Sequence, residues 1–139
     1  MKALEGPAAL AACFADPPAH AWWNPLPVLC PADEVDRLGE VCRSHGVTVF
    51  DTLAAQVAEL ARVRHPAAGA SRERASFCAE RGEGGPHPAG KTWMYFHWSR
   101  RLVRVLDADD YFAVITSRNQ DKITRAEQET LRRRTVGVV

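Results

Sequence analysis

The chain has 139 residues, 46% of them hydrophobic and 25% charged, with 18 Lys and Arg against 17 Asp and Glu for a formal net charge of +1. One domain with a modest core is the expectation at this length, since domains commonly run ~100–150 residues. So even a charge balance carries no bias toward nucleic acid or an anionic membrane, and no apolar run approaches the ~20 residues of a membrane span.

Residues 1–31 contain Pro7, Pro17, Pro18, Pro25, Pro27 and Pro31. Each fixes φ and removes a donor, which predicts an extended arm with at most a turn or two around Ala8 to Phe14. Leu10-Ala11-Ala12-Cys13 matches the sequence at which bacterial lipoprotein signals are cleaved. Glu5, Gly6 and Pro7, however, leave only a few apolar residues before Cys13, short of the ~7–15 of a signal core. Trp22-Trp23-Asn24-Pro25-Leu26-Pro27-Val28-Leu29 is too apolar to stand in water, so the arm is expected to lie on the chain's own core with the indoles as anchors, in preference to serving as a partner-binding strip.

Residues 32–115 are expected to form a small mixed α/β accessory domain. Val35, Leu38, Val41 and Cys42 recur on one face of a helix, and Gly46 suits a left-handed cap at its end. Val47 to Phe50 reads as a short strand and Asp51 as the N-cap of a second helix, whose stripe is Leu53, Val57, Leu60 and Ala61. That helix must stop near His65, because Pro66 follows. Residues 67–91 mix small residues, charges, glycines and prolines and predict a flexible surface connection with at most a brief strand at Ala75 to Ala79. Thr92 to Trp98 and Leu102 to Leu106 then predict a β-hairpin. In a strand Trp93, Tyr95 and His97 share one face and Met94, Phe96 and Trp98 the other, so one aromatic face must be core. Asp107 is expected to cap a helix through Tyr111, Phe112, Val114 and Ile115, with Asp109 and Asp110 in its first turn.

Familiar catalytic motifs are missing: there is no Gly-x-Ser-x-Gly, no His-Glu-x-x-His and no complete phosphate loop. Cys13, Cys30, Cys42 and Cys78 are widely spaced without a Cys-x-x-Cys, which favours a reduced, cytoplasmic setting over a zinc ribbon or a disulfide framework. Cys42 and His45 with Cys78 and His87 offer four metal-ligating types, but their spacing matches no common zinc module and a buried structural Cys42 is preferred. Trp93, Tyr95, His97 and Trp98 beside Arg100, Arg101 and Arg104 pair aromatics with cations as single-strand binders do; a packed sheet with a basic rim is preferred.

The final stretch, residues 116–139, carries the most organised signal. Thr124 followed by Glu127 is a capping box, predicting a helix from Arg125 with Glu127 and Glu129 early and Arg132, Arg133 and Arg134 late, in agreement with the helix dipole. Thr135 to Val139 is then an apolar, β-branched run of the kind found in buried parallel strands.

Arg118, Ile123, Glu127, Gln128, Leu131 and the Val136 to Val139 run, preceded by Trp98-Ser99-Arg100-Arg101-Leu102-Val103, resemble the region just before the nucleotide-binding domain of ThiF/MoeB-type adenylyltransferases, the family that includes ubiquitin-activating enzymes. The family pattern there is roughly Arg-x-x-Arg-Gln-Ile, a short helix and an apolar strand entering a glycine-rich turn. The second arginine of that pattern falls here on Asp121 and its glutamine on Lys122. The resemblance implies that residues 116–139 are the lead-in helix and first strand of a truncated Rossmann-like sheet. It implies ATP and Mg²⁺ as cofactors of the intact enzyme, which forms an acyl-adenylate. Arg118, with Lys122 or Arg125, would contact ATP phosphates in an intact dimer. The chain by itself lacks the glycine-rich turn, so no turnover is expected of it alone. Its expected partners are the remainder of a ThiF-like domain or a second subunit, in a homo-oligomer, with no membrane and with nucleic acid ranked last. The alternatives are a free-standing protein-interaction module and a small single-stranded nucleic-acid-binding domain.

Overall fold

The structure, a computed structural model, describes residues 3–67, 72–82, 90–119 and 122–134. It is a mixed α/β fold in which five strands form one sheet: β1 (Leu4–Glu5), β2 (Leu26–Leu29), β3 (Thr48–Asp51), β4 (Thr92–Phe96) and β5 (Arg101–Val105). The spatial order is β1-β2-β4-β5-β3, with β1 parallel to β2, β3 parallel to β5, and the inner pairs antiparallel. The helices are α1 (Gly6–Ala15), α2 (Val35–Ser44), α3 (Leu53–Arg64), α4 (Arg72–Arg81), α5 (Ala108–Thr116) and α6 (Arg125–Arg132).

The register explains the main core. Leu26 faces Tyr95, which faces Leu102, while Val28 faces Trp93, which faces Arg104. Because strand side chains alternate, these residues share one face of the sheet. Leu10 and Cys13 of α1 and Leu38 and Cys42 of α2 cover it. On the other face Pro27, Leu29, Met94, Phe96, Val103 and Phe50 join neither core cluster, and Leu29 and Phe50 are exposed. A second cluster lies beyond the end of β5, where Leu53, Val57 and Leu60 of α3 meet Leu106, Phe77 and Cys78 of α4, and Ala113 and Val114 of α5. Gln56 joins the two cores: its amide donates to the Arg104 carbonyl at 3.0 Å and its Oε1 accepts from the Leu106 N–H at 3.1 Å, replacing a strand neighbour where β3 has ended.

Several sequence expectations match the structure. The stripe of α2, the left-handed Gly46 at φ 66°, the stripe of α3 ending before Pro66 and the β4–β5 hairpin are all present, and Trp93 and Tyr95 form the buried face. Four expectations are corrected. Residues 1–31 are not an extended arm: α1 is a ten-residue helix, and β2 pairs with both β1 and β4. Pro7 sits in the first turn of α1, where its missing donor costs nothing, and five alanines follow. At Pro27 the strand has a neighbour on one side only, since β1 reaches no further than Val28 and Leu29, and there a proline is tolerated. Trp22 and Trp23 are not anchors, being 58% and 67% exposed; Leu26 and Val28 bury instead.

The third correction lies within 67–91, where α4 replaces the expected connection with its brief strand. It packs on α3 through Phe77 and Cys78, and Arg74 donates from Nε and Nη2 to the His65 carbonyl at 3.0 and 2.8 Å, closing the C-terminal end of α3. Fourth, Asp51 is the last residue of β3 and Thr52 occupies the cap position of α3, with Asp51 Oδ1 accepting from the Leu53 N–H at 3.0 Å. Asp107 does hold the N-cap position of α5, though its side chain makes no capping bond. The expected strand Val136 to Val139 lies outside the described residues.

Candidate functional site

The capping box of α6 is complete. Glu127 N–H donates to Thr124 Oγ1 at 3.3 Å, and Glu127 Oε2 accepts from the Thr124 N–H at 2.7 Å and from its hydroxyl at 2.8 Å. These bonds, the backbone donor first, hold the Glu127 carboxyl below its ordinary pKa. So fixed, α6 presents Arg125, Gln128, Glu129 and Arg132, spaced as one helical stripe, toward α3 and α5.

Between the three helices lies a cleft of about 940 Å³ lined by Val63 and Arg64 of α3, by Asp109, Phe112, Ala113 and Thr116 of α5, and by Ile123 and that stripe. Its charges are mostly committed. Arg132 donates to Asp109 at 3.0 Å, lies 3.7 Å from Glu129, and stacks its guanidinium 4.7 Å from the centre of the Phe112 ring. Arg64 donates to Asp110 at 3.2 Å, and Arg81 of α4 bonds the other Asp110 oxygen. Two groups have no such partner: Arg125 makes no ion pair among the described residues, and Gln128, only 6% exposed, has a buried Nε2 without a hydrogen bond.

The three cations singled out from the sequence are not gathered at one point. Arg118 is exposed on the short 3-10 turn Ser117–Asn119, Lys122 is exposed in the turn before α6, and Arg125 lines the cleft. Asp121, the counterpart of the second arginine in the family pattern, lies outside the described residues. Among the described residues no glycine-rich turn stands beside these cations, and no group of three or more His, Cys, Asp or Glu is placed to hold a metal ion. By themselves these residues do not make a site for ATP with Mg²⁺.

Other candidate groups serve the fold. Cys42 is fully buried, and desolvation pushes its thiol up to about 11; burial raises Cys13 and Cys30 as well. His87, the fourth ligand of the zinc alternative, is outside the described residues. Of the aromatic and basic residues that suggest nucleic-acid stacking, Trp93, Tyr95 and Arg104 are buried. Trp98, Arg100 and Arg101 remain exposed, and Trp22 meets His97 edge-on at 4.4 Å nearby. No helix among the described residues is long and apolar enough to cross a membrane.

The cleft and the buried Gln128 amide are not legible in the sequence, where Gln128 is one position of the pattern that this stretch resembles. Its place on the α6 stripe was the available signal. Neither a protein-family model, nor a curated protein, nor a solved structure matches the chain.

Proposed function

We propose that the chain is the N-terminal accessory part of a ThiF-type adenylyltransferase and assembles with a nucleotide-binding domain that it does not itself contain. The supporting observation is one of order: exposed Arg118, then Lys122-Ile123-Thr124, then a helix fixed at its start by a full capping box, then the apolar run Val136 to Val139. In this reading α1 to α5 and the sheet form a platform, and α6 leads into the catalytic domain. Arg118, free of the core, offers a planar cation to ATP phosphates held by that domain or by a second subunit. The test starts from the coding sequence beyond Val139. A glycine-rich α/β continuation or neighbouring frame supports the reading, and ATP–pyrophosphate exchange by the assembled protein should fall on Arg118→Ala without loss of assembly. Unrelated flanking sequence, or exchange by the 139-residue chain alone, overturns it.

A second reading, a protein-interaction module, is favoured by the exposed Trp22, Trp23 and Trp98, of which Trp22 and Trp98 flank His97 in space and in sequence respectively. Large indoles left in water mark interaction surfaces more often than scattered aliphatics do. A blue shift of tryptophan emission on binding the catalytic domain, removed by Trp23→Ala, would merge this reading with the first.

A further inference from the structure

The two edges of the sheet differ. β1 is two residues long and ends on the exposed Glu5, which blunts it. β3 is the other edge: all four of its residues are exposed, Val49 at 38% and Phe50 at 41% among them, and it carries no proline, lysine or bulge. We infer that β3 is the surface through which two copies of this chain pair, edge to edge and antiparallel, about a twofold axis at Val49. The inference does not depend on the adenylyltransferase reading.

The backbone fixes the register. Thr48 N–H donates to the Arg100 carbonyl at 2.9 Å, so in this parallel ladder Thr48 and Phe50 serve β5, and the N–H and C=O groups of Val49 and Asp51 point away from it. Edge groups so aligned match an antiparallel copy of themselves. Val49 of each copy exchanges both bonds with Val49 of the other, and each Asp51 N–H reaches the other copy's Val47 carbonyl. A twofold at Phe50 would instead set opposite each other residues whose polar groups already face β5.

Charge selects the antiparallel sense. Asp51, its side chain 48% exposed, stands at one end of the edge, and the exposed Arg100 and Arg101 stand beside Thr48 at the other. A twofold brings the acidic end of each copy to the basic end of the other, whereas a parallel partner would set like beside like. Stable interfaces cover ~800 Å² and ~20–30 residues a side, far more than four strand residues and their flanks. The dimer is therefore reversible, forming between micromolar and millimolar concentration.

The test follows the purified chain by sedimentation equilibrium and amide hydrogen exchange from micromolar to millimolar concentration. A dimer should form across this range, with the Val49 and Asp51 amides gaining protection as it does, while Thr48 and Phe50, bonded to β5, are protected throughout. The twofold sets the two Val49 side chains directly opposite each other. Val49→Lys and Val49→Glu should therefore each weaken pairing ~5-fold or more through like charge, and an equimolar mixture of the two variants should restore it. Recovery in the mixture also shows that both variants are folded. A chain that stays monomeric at millimolar concentration, Val49 protection that does not follow concentration, a dimer that survives both substitutions, or a mixture that associates no better than its components would each overturn the proposal.

Discussion

Arg104 Nη1 donates to Asp51 Oδ2 at 3.0 Å across the parallel pair β5–β3, and the same guanidinium donates from Nε to the Gly90 carbonyl at 2.9 Å while lying 5.4 Å over the Trp93 ring. The two partners differ in surroundings. The Arg104 side chain is 8% exposed and that of Asp51 48%. Removing the carboxylate therefore takes a partner from a buried cation, whereas removing the cation leaves a carboxylate that water reaches. Asp51→Ala is expected to cost ~1.5–3 kcal/mol in urea unfolding, the range for a hydrogen bond to a charged group, and Asp51→Asn, which keeps an acceptor oxygen, less. An Asp51→Ala chain with the wild-type midpoint would remove this link from the account of how β3 is held.

At the other end of the chain the prediction concerns pH. The Glu127 carboxyl has its folded pKa below the ordinary 4.5, first through the Thr124 N–H and then through the Thr124 hydroxyl. A depressed carboxyl contributes its stabilisation above the unfolded value and loses it as pH falls through the folded value. The capping of α6 is thus complete above about pH 5, and its loss begins as pH drops below the ordinary carboxylate range. Hydrogen exchange on the α6 amides should accelerate there while those of α3 hold. Thr124→Ala removes the N-cap acceptor and should cost ~1 kcal/mol of local helix stability at neutral pH. Equal acceleration of α3 and α6 would mean that the box does not act locally.

How much of this was written in the sequence depends on the range of the forces concerned. The capping box is a contact between residues three apart, and the stripes of α2 and α3 and the Trp93/Tyr95 alternation repeat over one element, so local reading found them. The helix α1 is hidden behind Pro7 and Pro17, which act as breakers over a short window but bracket a run of alanines. For α4 only Phe77 and Cys78 pack inward, too few to make a period. The choice between burying Trp22 and Trp23 or burying Leu26 and Val28 was made by the pairing of β2 with β4, a partner 60-odd residues away that no local window contains. The candidate site divides in the same way: Arg125 opens a helix that the capping box marks locally, whereas the cleft it lines and the burial of Gln128 exist only once α6 has met α5.

Thiol reactivity offers a third check. The chain has four cysteines, of which Cys13, Cys30 and Cys42 are buried in the main core and Cys78 is partly exposed on α4. Burial raises the pKa of all three core thiols, Cys42 to about 11, and the thiolate is the reactive form. At about pH 8 a water-soluble disulfide reagent should label one thiol rapidly in the native chain and all four after denaturation. Cys78→Ser should abolish the fast phase. Rapid labelling of two or more thiols in the native chain would contradict a closed core between the sheet and α1 and α2.

Two glycines make opposite predictions under the same substitution. Gly39 lies inside α2 with nothing within 4 Å of an added Cβ, so it contributes only the backbone freedom that a helix interior must freeze out. Gly39→Ala should stabilise the chain by ~0.5–1 kcal/mol. Gly90 has φ +77°, in the left-handed region, and an added Cβ would run into Cδ1 of Leu53, with Cδ2 at 2.9 Å. Leu53 is 4% exposed in the second core cluster and cannot step aside freely, and the Gly90 carbonyl is fixed by Arg104. Backbone strain at positive φ and a displaced core leucine together should make Gly90→Ala cost ~2–4 kcal/mol. Thermal unfolding of the two variants side by side decides it. If Gly90→Ala melts with the wild type, the close approach of the β4 lead-in to α3 is wrong, and with it the position of the second core against the sheet.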